Sequence, residues 1–118
     1  MPVIYSTDVE TKKPFEGVVT KRMVDGVHGS KGITVISEII NPGGRIPVHR
    51  HKTEAGIYVY AGRGHLLIEG EGEYEVEAGM GLLVPANSFH SMWNSGDVDF
   101  KYVTSRPTTM LSTEMKES

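Results

Sequence analysis

The chain has 118 residues, a formal net charge of −3 and no cysteine. That length suits a single domain, and the lack of cysteine excludes disulfides, thiolate metal ligands and a cysteine nucleophile. The scattered basic residues argue against nucleic acid as a partner, because phosphate binding needs a clustered positive surface. No apolar run approaches the roughly 20 residues of a membrane span, and the N-terminus lacks the basic start of a signal peptide. We therefore expect a cytoplasmic protein with no membrane partner.

Glycine and proline separate short apolar runs along the whole chain, a pattern typical of an all-β sandwich or barrel. No segment combines a sustained 3.6-residue periodicity with a capping signal, so helix should be minor. Residues 1–17 form an N-terminal segment that could add a strand, and residues 18–105 form the barrel. Residues 106–118 form a polar tail that either adds a short element or frays. The strands are predicted at residues 18–24, 33–40, 48–51, 56–61, 65–69, 73–76, 82–84, 89–93 and 98–104.

Alternation within these strands predicts which side chains face the interior. In the hairpin strand at residues 73–76, the glutamates take the solvent face while Tyr74 and Val76 turn inward. Tyr58, Tyr60 and Trp93 are expected on an outer face, where exposed aromatic side chains often mark a partner surface. In the strand at residues 33–40, alternate side chains face opposite sides of the sheet. One side carries Ile33, Val35, Ser37 and Ile39, and the other carries Thr34, Ile36, Glu38 and Ile40.

Three histidines are the candidate metal ligands. His49 and His51 stand two positions apart, so in a strand their side chains leave the same face, with Cα atoms about 7 Å apart. His90 lies on a later predicted strand and could bring a third imidazole to the same ion. Neutral imidazole is a common ligand for transition metals. Because no cysteine is available, we expect a site with nitrogen and oxygen ligands only.

The spacing of these histidines resembles two motifs of the cupins, small β-barrel proteins. In the first, Gly43 is followed by five residues, then His49 and His51, and the closing glycine matches Gly62. In the second, the matching residues are Gly79, Pro85, His90 and Asn94, with Asn87 where the family has glycine. Asparagine is the natural substitute there, because it tolerates a left-handed backbone. The resemblance implies a double-stranded β-helix, or jelly-roll barrel, with a metal on His49, His51 and His90, and a homodimer.

The chain departs from the first motif at its fourth ligand. The family's usual glutamate would stand at position 55, which is Ala55 here, and Glu54 lies one residue earlier. In an unbroken strand that shift points Glu54 to the opposite face. Either a bulge turns Glu54 inward as a fourth ligand, or the site has three histidines only, which is the alternative that we favour. Three neutral ligands would leave more of the coordination sphere open.

Four further residues are candidates for the substrate pocket. Met92 shares the face of His90, and Phe100 and Tyr102 share one face of the last strand, where they would make the cavity apolar. Arg45 lies in a predicted loop near the barrel mouth, where it could meet an anionic substrate.

The expected function is therefore that of a mononuclear metal-binding cupin for a small organic or anionic molecule. The cofactor is a divalent transition metal, one of Fe, Mn, Ni or Zn, which the sequence does not distinguish. If the protein is an enzyme, the three-histidine site resembles that of the dioxygenases of the family. The alternative is a non-catalytic module that binds or senses a small molecule.

Overall fold

The computed structural model describes residues 3–117 and is built almost entirely from strands. Its only helical elements are two 3-10 turns, Ser6–Asp8 and Gly26–His28, so the expectation of minor helix is confirmed. The strands are β1 Lys12–Phe15, β2 Val18–Val24, β3 Thr34–Ile40, β4 Arg45–Arg50, β5 Ala55–Ala61, β6 Arg63–Ile68, β7 Gly72–Glu77, β8 Gly81–Val84, β9 His90–Trp93, β10 Phe100–Arg106 and β11 Glu114–Met115.

These strands form two antiparallel sheets that pack face to face as a jelly-roll barrel. One sheet has the order β1-β2-β3-β10-β5-β8, and the other has the order β11-β4-β9-β6-β7. The predicted all-β jelly-roll fold is confirmed. Among residues 3–117 there is no helix of the length and apolar character that a membrane crossing needs.

The core lies between the sheets and follows the two-residue period of the strands. In β3 the side chains of Thr34, Ile36, Glu38 and Ile40 are buried, and the residues between them are partly exposed. At the far end of the core Phe100 is completely buried, and a Cβ added to Gly64 would overlap its ring. Glycine at position 64 therefore lets the Phe100 ring lie directly against β6. The buried apolar residues are Val18, Ile36, Ile40, Ile46, Ala55, Ile57, Val59, Leu66, Ile68, Val76, Val84, Met92, Phe100 and Tyr102.

Both ends of the described chain add strands to this barrel. Strand β1 pairs with β2, so the N-terminal segment extends the first sheet. Strand β11 pairs with β4, and the Arg50 guanidinium donates a hydrogen bond to the Glu114 carboxylate between them. The polar tail predicted at residues 106–118 therefore folds back onto the barrel in its described part.

Tyr74 was expected to turn inward with Val76, and it is not buried. It lies opposite Leu66 in the β6–β7 pair and shares the face of Val76, yet 45% of its surface is exposed, whereas Val76 is buried. The reason is that β7 is the edge strand of its sheet, so that the core does not extend over Tyr74. Strand alternation predicts the direction of a side chain, but the covering of that side chain depends on what packs above it.

Candidate metal centre

The three predicted histidines meet at one point of the barrel interior. His49 lies in β4 and His90 opens β9, and these two residues are direct partners across the strand pair. His51 follows the end of β4. All three side chains are buried, with exposed fractions of 7%, 7% and 4% for His49, His51 and His90. One ring nitrogen from each lies within 4.8 Å of the others.

Backbone hydrogen bonds set the orientation and tautomer of each ring. The Nδ1 atom of His49 lies 2.7 Å from the carbonyl oxygen of Pro47. The Nδ1 atom of His51 is 2.7 Å from the Ser112 carbonyl, and that of His90 is 2.8 Å from the Ser88 carbonyl. Since a carbonyl only accepts, each Nδ1 carries the proton and donates it. The lone pair of each Nε2 is then free for a metal, which is the usual arrangement around ligating histidines.

The loop before β9 helps to hold His51 in place. Asn87 has a φ of 62°, so the left-handed backbone expected from the motif is present. Its backbone N–H donates to the carbonyl oxygen of His51 at 2.7 Å. A β-branched residue at position 87 would strain this turn, because L side chains with a branched Cβ rarely adopt a positive φ.

Burial also keeps the three imidazoles neutral. Desolvation, followed by the repulsion that His49 and His90 would feel if both were protonated, lowers the pKa of His49 to about 4. Desolvation and the nearby Arg106 guanidinium lower the pKa of His51 to about 3. The pKa of His90 is lowered as well, chiefly by desolvation. Three neutral imidazoles with free Nε2 atoms fit a divalent transition metal, which needs deprotonated ligands.

Glu54 does not join this group. It is exposed in the segment between β4 and β5, whereas Ala55 opens β5 and is buried. No local bulge turns the Glu54 carboxylate inward, and within residues 3–117 the metal-ligating group consists of His49, His51 and His90. The position of the family's usual glutamate is thus occupied by the methyl group of Ala55, which lines the cavity beside the histidines.

The histidines open onto a cavity of about 340 Å³ between the two sheets. Of the predicted pocket residues, Met92 and Tyr102 line it and Phe100 and Arg45 do not. Phe100 is packed at the opposite end of β10, against β6. The apolar part of the lining consists of Pro14, Phe15, Val18, Ile36, Ile46, Ala55, Ile57, Met92 and Leu111.

Arg45 lies on the outside of the barrel because β4 begins at this residue and not in a preceding loop. Strand alternation turns Ile46 inward and Arg45 outward. The Arg45 guanidinium stacks over the ring of Trp93, with its Cζ 4.2 Å from the ring centroid. On the other side of Trp93 lies His65, stacked at 5.1 Å between ring centroids and away from the cavity.

The cavity wall contains a buried polar cluster that was not predicted from the sequence. Glu38 is buried, and it accepts hydrogen bonds from the Tyr102 hydroxyl at 3.2 Å and the Thr104 hydroxyl at 3.0 Å. Desolvation raises the pKa of Glu38. Arg106 ends β10 and reaches the histidines, with Nη1 3.2 Å from Nδ1 of His51. The two-residue period was the available signal, since it places Glu38 beside Ile36 and Arg106 on the face of Tyr102.

This fold and site define a class: a jelly-roll barrel with three buried histidines that could hold one metal ion. The family model described as "Cupin domain" matches residues 37–106, more than half of the chain. The chain therefore belongs to the cupin family, and the resemblance that its motifs indicated is confirmed.

Known relatives and structures agree with this assignment. The chain is 31% identical to auxin-binding protein T85 from Nicotiana tabacum over 93 residues, which cover 69% of this chain and 50% of that protein. It thus spans about half the length of the curated relatives that it matches. A polyketide cyclase from Streptomyces resistomycificus superimposes with a TM-score of 0.86 and 19% identity, over 100% of this chain and 87% of the cyclase. Bacillus subtilis oxalate decarboxylase, described with Mn(II) centres, superimposes with a TM-score of 0.81 and 18% identity, over 90% of this chain and 30% of the decarboxylase.

Proposed function

We propose that this chain holds one divalent transition metal on His49, His51 and His90 and binds a small organic molecule in the adjoining cavity. The observation that carries the proposal is the set of three buried, neutral imidazoles, each with Nδ1 hydrogen-bonded to a backbone carbonyl. Fe, Mn, Ni and Zn all accept imidazole ligands, and the Mn(II) centres of the oxalate decarboxylase neighbour support a divalent ion. A metal bound there would act as a Lewis acid toward an oxygen donor of the ligand.

The cavity supports a small ligand. Its volume of about 340 Å³ lies at the lower end of the roughly 300–1,000 Å³ of pockets that bind small molecules. Apolar side chains such as Ile46, Ile57 and Met92 would contact the carbon skeleton, while the metal would orient one polar end. The similarity to proteins named for auxin binding also supports a small-molecule ligand.

Dioxygenase-type catalysis is the second candidate function, and one observation favours it. The ligand group lacks a carboxylate, since Ala55 occupies the position next to the histidines. A three-ligand metal keeps more positions open for a substrate and a second small reactant. Oxygen consumption by the Fe(II)-loaded protein over a panel of diketones, catechols and thiols tests this candidate. If every bound compound is recovered unchanged and no oxygen is consumed, dioxygenase catalysis is excluded, and the protein acts as a non-catalytic binding module.

The homodimer expected from the family is also a proposal. Tyr58, Tyr60 and Leu83 are exposed on the outer faces of the neighbouring strands β5 and β8, at 55%, 45% and 63%. Exposed apolar and aromatic side chains that adjoin each other often mark a partner surface. Size-exclusion chromatography with light-scattering detection should give twice the mass of the chain. The double variant Tyr58→Glu/Leu83→Glu should give the monomer mass. The cytoplasmic location stays a prediction.

The metal proposal is tested by stoichiometry. Protein purified without an affinity tag is stripped with a chelator and then titrated with Mn²⁺, Fe²⁺, Ni²⁺ and Zn²⁺ in turn. We expect one tightly bound ion per chain, lost in the His49→Ala/His51→Ala double variant. The His65→Ala variant is the matched control and should keep its metal, because His65 stacks on Trp93 outside the cavity. Stoichiometric metal in the double variant, or none in the unaltered protein, would contradict the proposal.

A further inference from the structure

The Arg106 side chain is a buried cation with no hydrogen-bond acceptor among residues 3–117. Its side chain lines the cavity and only 8% of the residue is exposed. Within the described part of the chain, its one side-chain polar contact joins Nη1 to Nδ1 of His51 at 3.2 Å. That nitrogen already donates its proton to the Ser112 carbonyl, so it has no lone pair for Arg106. The Nε atom of Arg106 is also buried without a partner among the described residues.

The nearby carboxyl group does not neutralise this guanidinium by direct contact. The two oxygens of Glu38 accept hydrogen bonds from Tyr102 and Thr104. Within residues 3–117 the ion pairs closer than 4.0 Å do not include Glu38 and Arg106. Desolvation moreover raises the pKa of Glu38, which favours its uncharged form. A buried charge that lacks a paired anion is costly, so the folded protein has a reason to bind one.

The ionisable groups around the cavity have the opposite sign to the chain as a whole. Lys12, Arg22 and Arg106 line it, and Glu38 is its acidic member. The chain itself has a net charge of −3. A divalent metal on three neutral histidines would add two further positive charges. The cavity is therefore a positive site in an acidic protein, and clefts lined by one sign of charge concentrate ligands of the other sign.

We infer that Arg106 anchors the ligand, and that the ligand is a small organic carboxylate with its anionic end between the three histidines and the Arg106 guanidinium. This inference rests on the proposed function and adds to it a ligand class and a second anchoring residue. The planar fork of a guanidinium matches the two oxygens of a carboxylate. The apolar lining beside Met92 would contact the rest of the molecule. Arg106 thus takes the role that the sequence analysis gave to Arg45.

The experiment compares a carboxylate with its uncharged isostere, benzoate against benzamide, by calorimetry on the Zn²⁺-loaded protein. We expect benzoate to bind at least tenfold more tightly than benzamide. The Arg106→Gln variant should lose at least tenfold in benzoate affinity and change less than twofold toward benzamide. Arg45→Gln is the matched control, because this exposed arginine stacks on Trp93, and it should bind both probes like the unaltered protein.

Zinc content measured on the same samples separates the two levels of the proposal. No zinc in the unaltered protein would be a failure of the metal site. Zinc present, with benzoate bound equally by the unaltered protein and by Arg106→Gln, would overturn the role of Arg106 alone. Equal affinity for benzoate and benzamide, binding of neither, or a preference for inorganic phosphate would overturn the carboxylate assignment. If Arg106→Gln does not fold, NMR of the unaltered protein tests the role of Arg106. The Nε–H resonance of Arg106 should shift when benzoate is added and should not shift with benzamide.

Discussion

Metal binding to this chain should release almost no protons, although three histidines are involved. Near pH 6 a histidine with the usual pKa of about 6.5 carries about three quarters of a proton, so two such ligands would together release about 1.5 protons. Burial lowers the pKa of His49 to about 4 and that of His51 to about 3. At about pH 6 each then carries about one hundredth of a proton or less. Burial lowers the pKa of His90 as well.

The assay is calorimetric titration of the metal-free protein with Zn²⁺ in buffers of different ionisation enthalpy. The dependence of the observed enthalpy on the buffer gives the number of protons released, which we expect to be close to zero. The His65→Ala variant should give the same number, because its side chain lies outside the cavity. Release of one proton or more would refute the conclusion that the site is preformed and neutral.

The same pKa values determine how the stability of the metal-free fold depends on acid. As the pH falls below about 6.5, the histidines of the unfolded chain become protonated, whereas the buried histidines of the folded chain stay neutral. The free energy of unfolding should therefore fall between pH 6.5 and the folded-state pKa of about 4 for His49. At about 1.4 kcal/mol per pKa unit, the loss from this one residue is on the order of 3 kcal/mol.

Three further outcomes concern single residues. Ala55→Glu restores a carboxylate in the cavity wall and should raise metal affinity at least tenfold in metal titrations, while Glu54→Gln should change it less than twofold. Gly64→Ala places a methyl group against a buried ring and should lower the free energy of unfolding in urea by about 1–3 kcal/mol. In urea unfolding between about pH 5 and 7, the free energy of unfolding should increase more with rising pH in Glu38→Gln than in the unaltered protein. The reason is that folded Glu38 holds its proton above the ordinary pKa, whereas the unfolded chain releases it.

Each of these outcomes has a matched control or a contrary result. Weaker metal binding in Ala55→Glu would mean that position 55 does not face the ion. Gly56→Ala is the control for Gly64→Ala, since a Cβ at position 56 would have open space around it, and equal losses would argue against the packing explanation. An unchanged pH dependence in Glu38→Gln would show that the buried carboxyl group does not titrate differently in the folded and unfolded states.

The parts of the molecule that could be predicted from sequence were those governed by local spacing. Two-residue alternation placed Ile36 and Ile40 on one face of their strand, which is the buried face in the structure. The motif spacing identified His49, His51 and His90, which the structure brings together. Both depend on the geometry of a strand, which is the same wherever a strand occurs.

The parts that could not be predicted depend on tertiary contacts. The carbonyl that orients His51 belongs to Ser112, 61 residues later, and it is in place because β11 pairs with β4. Arg106 was assigned to a polar tail because nothing in its local sequence shows that β10 continues to it. Arg45 was expected in a loop, but β4 begins there and turns it outward. Strand ends are set by pairing partners, and single-sequence patterns locate them only approximately.

We propose that His49, His51 and His90 together hold one metal ion. The most direct measurement is an anomalous-difference map, collected at the absorption edge of zinc, from crystals of the Zn²⁺-loaded protein. We expect one peak per chain, about 2.0–2.1 Å from Nε2 of all three histidines, with each Nδ1 still hydrogen-bonded to its carbonyl. A peak at another position, or coordination through Nδ1, would contradict it.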